Sequence, residues 1–248
     1  VKRATAVVAR MRLLLSAPGP DPSLEVDADL RPDGKNGPMV RTLSSSLAYY
    51  AEHSATWEAQ ALLRAGFGAG DAGVVDELLS AIDPLRYPIG GLTRVQVGEI
   101  RRLKARVETE RMPRGSDPAR NTKLGPGGLA DVEWTIQLLQ LQHGYEVPGL
   151  RTTSTLDALA AARDAGLVVA TDAAALESAW RLASRLRNAI MLTRGRASDV
   201  IPTDARDASA IAHLLGHEPA SASMLVEEWR KAARRASAVV GRLFWGED

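Results

Sequence analysis

At 248 residues, 45% hydrophobic and 25% charged, the chain can bury one large core or two modest ones and is too apolar to be disordered. Lys and Arg total 31 against 30 for Asp and Glu, and the resulting net charge of +1 excludes a bulk electrostatic footprint for nucleic acid or an anionic membrane. Cysteine is absent, no apolar run is long enough to span a bilayer, and the N-terminus lacks the layout of a signal peptide. Disulfides and thiolate metal sites are excluded, and the expected location is the cytoplasm.

The first segment, Lys2 to Leu15, carries Ala6, Val7, Met11 and Leu14 at a spacing that predicts one face of a helix. No capping residue precedes it, which suggests that this helix, or something before it, has been cut short. After the loop Ala17-Pro18-Gly19-Pro20-Asp21-Pro22, Leu24, Val26, Ala28 and Leu30 alternate with Glu25, Asp27, Asp29 and Arg31. That period of two predicts a half-buried strand with carboxylates on its exposed side. The glycines of Asp33-Gly34-Lys35-Asn36-Gly37 permit a turn, and Met39-Val40-Arg41-Thr42 can return as a second short strand.

From Ser44 the pattern becomes helical. Leu47, Tyr50, Ala51, Ala55, Leu62 and Leu63 recur near helical spacing, Ser44 to Ser46 are available as caps, and the run breaks near Gly66-Phe67-Gly68. Further helices are predicted over Val74 to Ile82, Val95 to Arg111, Ala130 to His143, Thr155 to Ala165, Ala173 to Thr193, Ala208 to Leu215 and Met224 to Trp245. A polar loop over Met112 to Pro118 follows the Arg-rich run Val95 to Arg111, and short connections predict antiparallel neighbours in a bundle. The expected fold is mainly α with a small β portion.

Three constellations have residues that could carry chemistry. On a strand, Glu25, Asp27 and Asp29 share a face, and clustered carboxylates suit a magnesium–nucleotide site, because hard oxygen ligands hold the ion while it bridges phosphates. The same alternation describes any edge strand with a solvated acidic face. Lys123-Leu124-Gly125-Pro126-Gly127-Gly128-Leu129-Ala130-Asp131-Val132-Glu133 is a glycine-rich bend entering a helix, where free amides and a lysine can meet an anion. Its order differs from a Walker A loop, and its glycines could equally serve the turn alone, with Asp131 and Glu133 favoured by the helix dipole. In Trp57-Glu58-Ala59-Gln60-Ala61-Leu62-Leu63-Arg64, Glu58, Ala61 and Arg64 lie within reach of one another, the ordinary reading being a packed helix with a surface ion pair. The four histidines are scattered and no metal role is expected of them. Arg230-Lys231 and Arg234-Arg235, balanced by Glu227 and Glu228, read as a solvated basic face.

Taken in order, these segments resemble one family. Val26-Asp27-Ala28-Asp29-Leu30-Arg31-Pro32 with Gly34, Gly37 and Val40-Arg41-Thr42-Leu43 looks like its Val-Asp-x-x-Leu-Arg-Pro hairpin. Trp57-Glu58-x-Gln60-Ala61-Leu62-Leu63-Arg64-Ala65, Lys123-Leu124-Gly-x-Gly-Gly-Leu129-x-Asp131-Val132-Glu133-Trp134 and Gln137-Leu138-Leu139-Gln140-Leu141 follow at the expected intervals. The pattern is that of the glutamate–ammonia-ligase adenylyltransferases, whose members join two homologous halves, each a nucleotidyltransferase domain followed by a helical bundle, one removing and one attaching AMP. Arg151-Thr152-Thr153-Ser154-Thr155-Leu156, Arg187-Asn188-Ala189 and Trp134 resemble the C-terminal, adenylylating half.

The resemblance implies residues 1–66 as the end of a nucleotidyltransferase domain with a connecting helix, 67–122 as a helical connector, and 123–248 as a regulatory or substrate-docking bundle. It implies transfer of AMP from ATP to a tyrosine hydroxyl of glutamine synthetase with Mg²⁺. Asp27 matches a catalytic and metal-holding aspartate and Arg31 the arginine that follows it, while Lys123, Asp131 and Glu133 match a segment placed near the nucleotide. Expected partners are glutamine synthetase, ATP, the PII nitrogen-signalling protein and glutamine as a possible effector, with neither nucleic acid nor membrane. The leading Gly-Ser-x-x-Asp-x-Asp signature appears nowhere in the chain and is expected upstream of Val1, so the fragment is expected to be inactive alone. Asp29 stands where many members carry arginine, and Gly66 interrupts the usual Arg-Ala-Arg ending. The alternatives are the deadenylylating half, a non-catalytic module that binds PII or glutamine synthetase, and, more remotely, a nucleic-acid-binding bundle.

Overall fold

The computed structural model describes residues 1–19, 23–24, 26–218 and 222–247. The chain divides into two compact units, Val1–Arg86 and Tyr87–Asp248. The first holds α1 (Lys2–Leu15), α2 (Leu43–Glu52), α3 (Thr56–Leu62) and α4 (Ala72–Arg86). The second holds α5 (Arg94–Arg111), α6 (Leu129–His143), α7 (Thr155–Asp164), α8 (Ala170–Arg194), α9 (Ala205–Leu214) and α10 (Ala222–Val240), with a π-helical turn, Gly241–Trp245, continuing α10.

In the first unit, α2 and α3 pack on α4 around Tyr50, Ala59, Leu63 and Ile82. The Thr42 hydroxyl caps α2 by accepting from the Ser45 amide at 3.2 Å, which offsets one of the four unsatisfied amides of a helix start. Thr42 is thus a cap and not the end of a strand, and Ser44, Ser45 and Ser46 lie inside the helix. A break at 53–55 separates α2 from α3, where the Glu58 carboxylate reaches back to accept from the Ala55 amide at 2.9 Å. Arg86, 7% exposed, closes the unit by donating to Asp83, to the Ala65 carbonyl and to the Leu79 carbonyl. No residue of α1 is buried, and Val7, Met11 and Leu14 are exposed.

The two strands expected over Leu24–Leu30 and Met39–Thr42 do not form; no strand exists among the described residues. Residues 26–28 carry no regular structure, and the chain turns from Asp29 through the 3-10 turn Gly34–Asn36. The cause is local. Asp27 Oδ1 accepts from the Asp29 amide at 2.8 Å, a side-chain turn that competes with ladder pairing. Leu24 and Leu30, expected to face inward, are 64% and 63% exposed, so no buried face selects a register. Glu25 of the expected carboxylate face, and Pro20, Asp21 and Pro22 of the preceding loop, lie outside the described residues.

The second unit is helix packed on helix. Along α8, Ala173, Leu176, Ala179, Ala183, Leu186 and Ile190 are buried at steps of three and four, the stripe that a period of 3.6 turns toward a core. From Ala183 onward this stripe meets Ile211 of α9 and Leu225 and Trp229 of α10 in one cluster, and each fully buried aliphatic side chain contributes roughly 1.5–3 kcal/mol. Gly195, in the left-handed region, ends α8.

Segments far apart in sequence are strapped across this core. The Thr122 amide donates to the Asp199 carbonyl at 2.7 Å and the Ile201 amide to the Arg120 carbonyl at 2.9 Å, flanking an antiparallel bridge between Asn121 and Val200. Arg120 Nε donates to the Ile201 carbonyl at 2.9 Å, and the buried indole of Trp229 donates to the Ala119 carbonyl at 3.0 Å.

Candidate functional site

The expected site residues fall in both units, Asp27 and Arg31 in the first and Lys123, Asp131 and Glu133 in the second. In the first unit, Arg31 organises the loop. Its Nη1 donates to the Ala28 carbonyl at 2.7 Å, its Nε to Gly37 at 3.1 Å and its Nη2 to Lys35 at 3.0 Å. A planar fork reaches three diverging carbonyls that an ammonium could not. Gly37 lets the loop close, since a Cβ there would lie 2.0 Å from the Pro32 carbonyl oxygen. The outcome is a pinned loop that presents Asp27 to solvent, with no salt bridge to it among the described residues.

Behind the loop stands a polar cluster not anticipated from the sequence. Arg41 pairs with Asp33 and lies 5.3 Å over the Tyr49 ring, and its Nε is buried with no hydrogen-bond partner among the described residues. The Tyr49 hydroxyl donates to Glu58 Oε1 at 2.8 Å. Glu58 is only 4% exposed, so it is a buried acceptor that joins α2 to α3. Burial pushes the Tyr49 and Tyr50 hydroxyls above the ordinary phenol range, with Glu58 acting in the same direction on both. The hint was present as Arg41 and Glu58 in the motifs, but their burial is set by how α2 and α3 fold together.

In the second unit, the glycine-rich turn is closed on itself. The Gly128 amide donates to the Gly125 carbonyl, Leu129 to Thr122 and Ala130 to Lys123. Gly127 has φ +71°, its amide donates to Asp131 Oδ2 at 2.6 Å, and a Cβ there would lie 2.0 Å from the Ala233 carbonyl oxygen. Asp131 Oδ1 pairs with Lys104, which also pairs with Glu108 and lies 5.5 Å from the Phe244 ring centre and 5.4 Å from that of Trp245. The amides that could have met an anion are therefore committed to carbonyls and to Asp131. Glu133 Oε1 accepts from the Trp180 indole at 3.4 Å, and Lys123 is exposed. Lys104, 2% exposed, is the residue that the sequence reading missed; its spacing to Glu108 was the available signal.

Magnesium was expected, and its fit can be tested on the carboxylates present. Asp29 faces Lys35 at 3.3 Å, so among the described residues of the loop Asp27 is the carboxylate turned to solvent without a cation, and no group of three metal-ligating side chains occurs among the described residues. In nucleotide sites magnesium is held octahedrally by one or two carboxylates together with substrate phosphates and water, and Asp27 offers at most one of these ligands. These residues do not make a magnesium site by themselves.

Comparison with known proteins bears on the order of these segments. Residues 1–81 match the family model of glutamate-ammonia ligase adenylyltransferase, and residues 101–245 match that of GlnD PII-uridylyltransferase. A "Bifunctional glutamine synthetase adenylyltransferase/adenylyl-removing enzyme" of Streptomyces coelicolor is 57% identical over 242 residues, 98% of this chain and 24% of the relative. The chain belongs to the glutamate-ammonia ligase adenylyltransferase family. Proteins of the same description from Streptomyces avermitilis and Cutibacterium acnes are 56% and 53% identical over 99% of the chain. The chain spans about a quarter of the length of these adenylyltransferases (24% and 25%). The helical region shared with the PII-uridylyltransferase model covers α6 to α10 and most of α5.

Proposed function

We propose that the chain is part of an enzyme that transfers AMP from ATP to a tyrosine hydroxyl of glutamine synthetase. The observation that carries this reading is the likeness, 57% over 98% of the chain, to a protein named as a bifunctional glutamine synthetase adenylyltransferase/adenylyl-removing enzyme. In the reaction, the tyrosine oxygen attacks the α-phosphorus, the bond to the bridging oxygen of the β-phosphate breaks and pyrophosphate leaves. The phenolic proton has to be taken up, and Asp27, exposed on a loop that Arg31 pins, is the group assigned to orient or accept it. Asp27 is also assigned as one carboxylate of a magnesium site completed by residues outside this chain, where the ion would neutralise phosphate charge. Lys123 is exposed and free to approach a nucleotide, whereas Asp131 and Glu133 act by shaping the turn and α6.

The adenylylating half is favoured over the deadenylylating one by Arg151-Thr152-Thr153-Ser154-Thr155-Leu156 and Arg187-Asn188-Ala189. Residues 1–66 are assigned to the nucleotidyltransferase portion, 67–122 to a connector and 123–248 to a docking or regulatory bundle in a cytoplasmic enzyme. A second reading has its own support. The match of 101–245 to a PII-uridylyltransferase model suits a module that reads PII protein, or glutamine, without catalysis of its own.

The test uses the longest natural polypeptide carrying these residues, and residues 1–248 alone, each with glutamine synthetase, ATP and Mg²⁺. The longer protein is expected to label a tyrosine with AMP, and the chain alone is not. Asp27→Asn in the longer protein is expected to lower transfer on the order of a hundredfold or more with its melting temperature unchanged. Transfer by 1–248 alone, or full activity of Asp27→Asn, would overturn the assignment. Capture of PII by 1–248, with no labelling by the longer protein, would favour the second reading.

A further inference from the structure

A groove of about 590 Å³ runs between α8 and α10, within the second unit and away from the glycine-rich turn in sequence. Its floor is apolar, formed by Ala174 and Ala175 of α8 and Ala232, Ala238 and Val239 of α10. Five ionic side chains line it, and they are not equivalent. Asp172 is held by Arg242, whose Nη2 lies 2.9 and 2.8 Å from its two carboxylate oxygens, and Glu228 lies 3.0 Å from His217 Nε2. The remaining two, Lys231 and Arg235, are exposed and make no ion pair among the described residues. Asp172 thus faces an arginine and Glu228 a histidine, while two of the groove's cations have no ion-pair partner among the described residues.

Lys231 and Arg235 stand four residues apart, so one helical turn separates them and they project along the same side of α10. A partner that neutralises both needs two carboxylates at a matching interval, which a second helix offers at i and i+4, with its aliphatic side chains laid on the alanine floor. We propose that the groove docks an acidic amphipathic helix on the surface of the protein that is modified. This rests on the reading above, in which that protein is glutamine synthetase: an enzyme acting on one tyrosine of a large protein requires a contact surface beyond the reacting atoms. Opposite charge at such a rim acts mainly on encounter and on apparent affinity.

The experiment is steady-state AMP transfer by the longest natural polypeptide, comparing wild type with Lys231→Glu/Arg235→Glu and with the milder Lys231→Gln/Arg235→Gln. Both pairs are exposed, so the fold should hold, and far-ultraviolet circular dichroism checks it. The charge-reversed pair is expected to raise KM for glutamine synthetase on the order of tenfold with kcat within about twofold, and the neutral pair to fall between. Added salt should raise the wild-type KM toward that of the variants. An unchanged KM, or a fall in kcat alone, overturns the groove while leaving the transferase reading standing. The same holds if the variants lose affinity only for PII protein or for an oligonucleotide. Absence of transfer by the wild type removes the transferase reading itself, and with it this occupant.

Discussion

Asp131 holds two things together. One oxygen takes the amide of Gly127 and the other the ammonium of Lys104, so a single side chain fixes the glycine turn and anchors α5 to α6. A cation this deeply buried depends on its counter-charge, and removing one partner of such a pair costs far more than the pair is worth against an apolar replacement. Asp131→Asn keeps an acceptor for Gly127 but strips Lys104 of one of its two charge partners, and should lower stability by about 3 kcal/mol in urea denaturation. A loss within experimental error would show that Glu108 alone suffices for Lys104. Glu108 responds to pH in its own way. Burial raises its pKa above 4.5, Lys104 opposes the shift, and Asp131 adds to it. With the folded-state value above the unfolded one, the stabilisation linked to this proton is complete below pH 4.5 and disappears as pH rises through the folded value. Wild type should therefore gain stability over Glu108→Gln as pH is lowered from neutrality toward that point; a gap moving the other way would mean that Lys104 outweighs burial.

At the scale of elements, the glycine turn before α6 shows what a fold requires of a motif. Gly127→Ala meets left-handed backbone strain of about 1–2 kcal/mol and, in addition, a collision with the Ala233 carbonyl. The substitution should lower the melting temperature well beyond what strain alone would do, whereas Gly166→Ala, also at positive φ but with nothing near its Cβ, should show the strain alone. Equal losses at the two positions would remove the collision from the account. The helices were largely legible: Lys2–Leu15 was read to its ends, and α5 to α10 were located within a few residues, because apolar positions at steps of three and four are what α8 buries. The strands were misread because Leu24 and Leu30 alternate with polar residues but have no buried surface to cover, and an Asp27 side-chain turn is invisible to a period count. Of the candidate site, Asp27 and Arg31 share one loop as their nearness in sequence implies, but Arg31's use on three carbonyls, and Lys104's place beside Asp131, depend on contacts that spacing does not encode.

At the scale of the whole molecule, the two units differ in how much they bury. The core of Val1–Arg86 rests on a few side chains such as Leu63 and Ile82, with α1 contributing none, while Tyr87–Asp248 encloses Trp229, Phe244 and the α8 stripe. Of the five tryptophans, only Trp57 belongs to the first unit. Denaturation followed by circular dichroism should begin before that followed by tryptophan emission, since helix is lost from both units but emission reports chiefly the second. Coincident curves would mean that the units unfold as one. The strap between residues 119–122 and 199–201 bears on assembly in time. Its two ends flank α6, α7 and α8 in sequence, so it closes a long loop whose entropy opposes its formation. During synthesis the Ala119 carbonyl is made 110 residues before the indole that donates to it, so this bond can close only once α10 has emerged.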